Sequence, residues 1–156
     1  MSETTTGQYK HIFNYACAIL ARRRYSVNGL REKMYKRYPG EHATIENVIT
    51  RFVALEYLDD AEFARAFIGD QLKRKPQGLR LIRQKLLQKG IDSDLAGHVI
   101  NTGGVDETEL AKAAAVKKAR TLKAASPLQK KQKLYRFLAS RGFSADTIMK
   151  ALYKEL

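Results

Sequence analysis

An all-α fold is predicted for this chain by three observations. Apolar residues recur with the 3.6-residue period of an amphipathic helix in nearly every segment. Glycine or proline breaks that period repeatedly, and a polar residue suited to cap a helix N-terminus follows within a few positions. No segment sustains the alternation of a strand. The breaks divide the chain into 1–58, 59–105 and 106–156, each holding three predicted helices.

In the first stretch, residues 9–24 (YKHIFNYACAILARRR) set Ile12, Ala16, Ile19 and Leu20 on one face. Ser26 suits the N-cap of a helix running through Leu30, Met34 and Tyr38, which Pro39-Gly40 ends. Thr44 reads as the cap of a third helix carrying Val48, Phe52 and Leu55. In the second stretch, Asp59 and Asp60 place negative charge at a helix start, where the dipole favours it, ahead of Phe63, Ala64, Phe67 and Ile68. That helix runs to Lys75 and breaks at Pro76 and Gly78. The next sets Leu79, Ile82 and Leu86 on one face and stops at Gly90; Asp92 caps the last, with Ala96 and Ile100 inward, and Gly103-Gly104 closes it. The third stretch opens at Asp106 with a helix to about Ala125. Ser126-Pro127 is an N-cap with proline at the first helical position, followed by Leu134, Leu138 and Gly142; Ser144 then caps a helix with Ile148 and Leu152.

The stretches superpose. Leu30, Ile82 and Leu134 correspond, as do Met34, Leu86 and Leu138; the caps Thr44, Asp92 and Ser144; Val48, Ala96 and Ile148; and Phe52, Ile100 and Leu152. Each unit is near the lower size for an independent core, so neighbours must lean on one another, which predicts an elongated, curved array of about nine helices.

Charge is the strongest compositional signal: 29 Lys+Arg against 16 Asp+Glu, a net +13 over 156 residues. Between Leu110 and Ala145 there are ten basic residues and no acid. A field of that sign attracts polyanions, nucleic acid above all. The candidate contacts are Arg22, Arg23 and Arg24; Lys73, Arg74 and Lys75; Arg80, Arg83 and Lys85; and Lys130, Lys131, Lys133 and Arg136. One cation complements a helix C-terminus, and three in succession exceed that need. These faces suit phosphate, an acidic partner surface or plain solvation. Aromatics are few in the basic regions, Tyr135 and Phe137 standing out, so a base-stacking platform has little support. Three copies without a dimerisation segment argue against an operator-binding helix-turn-helix dimer and favour a monomer.

Catalytic sets are missing. Asp59, Asp60 and Glu62 could be imagined as metal-binding carboxylates of a nuclease, but capping explains their position at a helix start. His11, His42 and His98 are scattered without companion ligands. Cys17 has no assignable base and, as the single cysteine, fits a reducing compartment. No glycine pattern forms a nucleotide-binding loop. No metal or cofactor is expected, no run approaches the ~18 apolar residues of a membrane span, and MSETTTGQYK is neither signal- nor transit-like, so a cytoplasmic setting is expected.

Residues 56–92, EYLDDAEFARAFIGDQLKRKPQGLRLIRQKLLQKGID, resemble the central signature of the RecX family of recombinase regulators. The matching positions are Tyr57, Leu58, Asp59, Asp60, Phe63 and Ala64, then Gly78, Leu86, Lys89, Gly90 and Ile91; Glu56 stands where the family has Gly, and Lys85 where it has Glu. AILARRRYSVNGLREKM (18–34) resembles the family's opening through Arg24, Ser26, Leu30 and Lys33, and KLYRFLASRGFSADTI (133–148) its closing R-F-L-x-x-R-G-F run, with Gly142 and Phe143. The resemblance implies a non-catalytic modulator, most often an inhibitor, of RecA. Such a protein lies in the groove of the RecA–DNA filament and restrains ATP hydrolysis, strand exchange and coprotease activity. RecA filament and single- and double-stranded DNA are the implied partners. A stand-alone nucleic-acid-binding module acting without RecA is the alternative reading.

The repeat register makes Leu86 a core residue. Leu86→Ala is expected to cost roughly 2–5 kcal/mol in chemical denaturation; full stability in that variant would show the register to be wrong.

Overall fold

The computed structural model describes residues 3–124 and 126–153. These form nine α-helices and no strand: α1 (Glu3–Leu20), α2 (Val27–Arg37), α3 (His42–Ala54), α4 (Asp60–Arg74), α5 (Leu79–Gln88), α6 (Ser93–Thr102), α7 (Glu107–Ala119), α8 (Pro127–Ser140) and α9 (Ala145–Tyr153). Side chains close the predicted N-termini: Ser26 accepts from the Gly29 amide, Asp59 from Ala61 and Glu62, Asp92 from Asp94 and Leu95, Ser126 from Gln129, and Ser144 from Thr147. Each such cap is worth about 1 kcal/mol.

The helices pack as three triplets, each around its own apolar cluster. Ile12, Ala16, Leu30, Met34, Val48 and Phe52 fill the first; Ala64, Ile82, Leu86, Ile91 and Ala96 the second; and Ala111, Leu138, Phe143 and Ile148 the third. The triplets form a serial, extended array. Its solvent-accessible surface is 10316 Å², against the roughly 8,000 Å² of a compact monomer of this mass. In the first triplet, Arg31 holds Glu46 through a two-pronged ion pair (2.7 and 3.2 Å), and the Tyr35 hydroxyl donates to the same carboxylate at 2.6 Å, tying α2 to α3. The Arg31 bonds first, then the Tyr35 bond, hold the Glu46 carboxyl below its ordinary range. Its contribution to stability is therefore present above that range and is lost as pH falls through the depressed value.

The repeated glycine signal is a joint. Gly90 (φ +79°) and Gly142 (φ +84°) stand in the left-handed region. At each, the following residue's amide reaches back to the helix, Ile91 to the Leu86 carbonyl and Phe143 to Leu138, while the glycine amides bond Leu87 and Ala139. This six-to-one, five-to-two pairing is the Schellman motif. Each motif is driven against the start of the second helix in the preceding triplet. A Cβ on Gly90 would lie 2.5 Å from Asn28 Cβ, and one on Gly142 2.5 Å from Leu81 Cβ; one on Gly78 would lie 2.1 Å from the Gly142 carbonyl oxygen. No side chain fits at these closest approaches.

Two hydrogen bonds seal each joint. Buried Ser26 donates to the Lys89 carbonyl at 2.7 Å, and the Asp60 carboxylate accepts from the Val27 amide at 2.8 Å. One triplet on, the Gly78 amide donates to the Arg141 carbonyl at 2.7 Å, and Glu107 accepts from the Leu79 amide at 2.8 Å. The C-terminus of α5 thus meets the N-terminus of α2, and that of α8 meets the N-terminus of α5, with opposite ends of the helix dipoles in contact. Groups that a helix end leaves orphaned find partners across the joint: side chains of Ser26, Asp60 and Glu107 serve the Lys89 carbonyl and the Val27 and Leu79 amides, and the Arg141 carbonyl takes the Gly78 amide directly. At α8 the position of Val27 and Leu79 is taken by Pro127, which has no N–H to offer.

Several sequence expectations are corrected. The first helix starts at Glu3 rather than residue 9 and ends at Leu20, so Arg22, Arg23 and Arg24 follow it instead of closing it. The third begins at His42, with Glu41 at the cap position and Thr44 inside; the Thr44 hydroxyl instead donates to Glu41 at 3.1 Å. Leu55 is exposed, and Ile45 and Ile49 take the core positions beside Val48 and Phe52. The seventh helix ends at Ala119, because the Thr121 amide and hydroxyl both turn back to the Lys118 carbonyl. Its expected limit, Ala125, lies outside the described residues.

The joint has a mutational signature. Gly142→Ala and Gly104→Ala both put alanine at positive φ, but the Gly104 site is open within 4 Å. Left-handed strain costs each about 1–2 kcal/mol; crowding is expected to add a further ~1–3 kcal/mol at position 142 alone. Equal losses in denaturation would deny the joint an energetic role.

Candidate nucleic-acid interface

The basic residues inherit their positions from the joints. Arg23 and Arg24 lie in the turn between α1 and α2, where the Arg23 guanidinium sits 4.8 Å from the Tyr25 ring centroid. Lys73 and Arg74 fall in the last turn of α4 and Lys75 is its C-cap, where cations complement the dipole. Lys89 and Arg141 are the C-caps of α5 and α8. They are the residues whose carbonyls are held in the joints, so docking carries their side chains to the neighbouring triplet.

Two clefts result, one at each joint. The first, about 460 Å³, is lined by Arg23, Arg24, Arg74 and Lys89 with Phe63, Phe67 and Asp70. The second, about 380 Å³, draws Arg74 and Lys75 from α4, Lys117 and Lys118 from the end of α7, and Arg141 from α8. On its wall the Phe137 ring lies 5.2 Å from both Lys118 Nζ and the Arg141 guanidinium, a separation at which the ring quadrupole attracts a cation. A third cleft of about 400 Å³ adjoins them, lined by Arg74, Lys75, Lys85, Arg141 and two glutamines among others. Arg74 borders all three. Among the described residues, none of Arg23, Arg24, Arg74, Lys75, Lys89, Lys117, Lys118 or Arg141 forms an ion pair. Like charges left unneutralised along one seam favour an anionic ligand.

Of the residues expected from sequence, the seam gathers Arg23, Arg24, Arg74, Lys75 and Lys85. Lys85 is also engaged internally, donating to Gln77 at 2.7 Å and Gln71 at 3.0 Å, which satisfies buried Gln77. Arg22, Lys73, Arg80 and Arg136 are exposed and line none of the three clefts. Arg83 donates to the Ser93 hydroxyl at 2.7 Å, tying α5 to the start of α6. Lys133 donates to the Lys123 carbonyl at 2.6 Å, and Lys130 and Lys131 border a separate groove on the third triplet with Val116 and Leu152. Lys89, Lys117, Lys118 and Arg141 were not among the basic contacts expected from sequence, although Lys89 was a matching position of the family signature. The signal for two of them was there, a cation directly before the glycine stop in Lys89-Gly90 and Arg141-Gly142.

The motif residues are mainly structural: Ser26, Leu30, Leu58, Ala64, Gly78, Leu86 and Phe143 are buried, and Asp59, Asp60, Gly90 and Gly142 cap or join helices. No group of three or more His, Cys, Asp or Glu suited to a metal ion occurs among the described residues, and no helix there is long and apolar enough to cross a membrane.

Comparison with known proteins matches residues 59–100 to the second three-helix domain of RecX and residues 106–152 to the third. A Regulatory protein RecX from Chlorobaculum tepidum is 37% identical over 142 residues, covering 91% of this chain and 86% of its own length. One from Prosthecochloris aestuarii is 36% identical over 97% of this chain and 96% of its own length, and one from Neisseria meningitidis 36% identical over 88% and 86%. The crystal structure of RecX from Lactobacillus salivarius superposes with a TM-score of 0.86 over 97% of both chains at 22% identity, a likeness of fold.

Neutralising the seam is expected to change salt dependence. Replacing Arg74, Lys75 and Arg141 with Gln lowers the slope of log affinity against log salt for a duplex DNA oligonucleotide by up to about 2.7, if each meets one phosphate. An unchanged slope in a fluorescence anisotropy titration would assign these cations to protein or solvent.

Proposed function

The chain belongs to the RecX family, and from that premise we propose that it regulates RecA, lying along the RecA–DNA filament and restraining its ATPase, strand exchange and coprotease activities without catalysis of its own. Its working units are the modules 1–58, 59–105 and 106–156. The observation that carries this reading is the seam centred on Arg74, where unpaired cations from successive modules line clefts at both joints. A filament groove exposes a long, repeating, anionic surface. A serial array with its charge along the joints complements such a surface better than a compact body would. DNA phosphates or acidic RecA side chains are the seam's ligands, and the protein acts as a monomer in the cytoplasm.

The test is RecA's DNA-dependent ATPase with the purified protein added at sub-stoichiometric amounts. Slowing at ratios too low to coat the DNA is the expected result. Slowing only when the DNA is saturated would overturn the reading in favour of simple competition for DNA by a stand-alone binding module.

A further inference from the structure

The cleft at the first joint holds more than charge. Phe63 and Phe67, one turn apart on α4, present half-buried rings to it, with centroids 6.0 Å apart and planes inclined by 21°. Arg23, Arg24, Arg74 and Lys89 share the cleft. Asp70 lines it too and, among the described residues, forms no ion pair. That carboxylate opposes a phosphate beside it and suits a neutral group that donates hydrogen bonds. Beyond Phe63 and Arg24 an adjoining hollow of about 120 Å³ continues past Tyr25 and Tyr57, the latter 63% exposed. The sequence scatters these groups, with Arg23 and Arg24 about forty residues from the phenylalanines, which is why aromatics looked few in the basic regions.

We infer that this cleft takes an unpaired nucleobase, stacked on the Phe63–Phe67 face, with the flanking phosphates on the surrounding arginines and Lys89. The inference rests on the reading that the seam faces nucleic acid, and it names the form: a single strand, because neighbouring base pairs cover the faces of a base within an undistorted duplex. Aromatic faces combined with a cationic border are the elements of single-strand binding. Phe63, Phe67, Arg74 and Lys89 come from the second module and Arg23 and Arg24 from the first, so the site is complete only while the first joint is closed.

The experiment uses the full chain and a short single-stranded oligonucleotide carrying 2-aminopurine, without RecA, alongside the matching duplex. Stacking is expected to change the 2-aminopurine fluorescence on binding. Phe67→Leu keeps an apolar filler and removes the aromatic face; it is expected to weaken single-strand binding roughly fivefold or more, with duplex affinity unchanged. Phe63→Leu provides an independent variant should the first fail to fold, and Phe67→Trp is expected to restore or strengthen binding. Unchanged single-strand affinity and fluorescence in folded leucine variants, or an equal loss for duplex, would overturn the inference while leaving the ATPase result untouched. An absent ATPase effect with the stacking signature intact would instead overturn the regulatory reading alone.

Discussion

One contact organises this molecule: a helix end carrying a left-handed glycine, pressed against the start of the second helix in the preceding triplet. A three-helix unit of about fifty residues buries too little apolar surface to be robust alone. The joints supply what is missing by giving orphaned carbonyls and amides at facing helix ends partners from the neighbouring triplet, and by setting unlike dipole ends together. Asp60 and Glu107 make the arrangement two-sided, since each starts a helix of its own triplet and caps a helix of the one before. The same contact occurs twice, which is why the chain repeats its basic-glycine phrase.

The joint also sets where charge goes. Lys and Arg near a helix C-terminus are favoured locally by the dipole. Because these C-termini dock on a neighbour, a preference that would ordinarily scatter cations over helix ends instead assembles them along the boundaries between triplets. Lys89 and Arg141 are the clearest cases: they close α5 and α8, yet line the clefts at the two joints, which Arg74 at the end of α4 also borders. Structure and electrostatics are therefore coupled, and a substitution that opens a joint disperses a basic surface it never touches.

Much of this was legible from sequence. The periodicity, the caps at Ser26, Asp59, Asp92, Ser126 and Ser144, and the glycine stops follow from local chemistry, which acts within one helical turn. What was not legible is mostly non-local. Asp60 looked like a second cap beside Asp59, because nothing local reveals that it reaches Val27 in another triplet. Lys89 and Arg141 were not expected as contacts, because nothing local shows that the helix ends they close dock on another triplet. Phe63 and Phe67 read as a core face, and their approach to Arg23 and Arg24 exists only after docking. Glu56 marks a local departure with a structural reason: it sits at φ +60°, a conformation glycine adopts freely, which accounts for the family's preference there.

Native-state amide hydrogen exchange at the first residues of the helices tests the joints most directly. First-turn amides have no intrahelical acceptor and normally exchange fast. If the joints hold the array together, the Val27 and Leu79 amides, each bonded to a carboxylate of the next triplet, are slow, while the leading amides of α3 and α9, His42 and Ala145, are fast. Exchange at Val27 and Leu79 as rapid as at His42 and Ala145 would contradict the account.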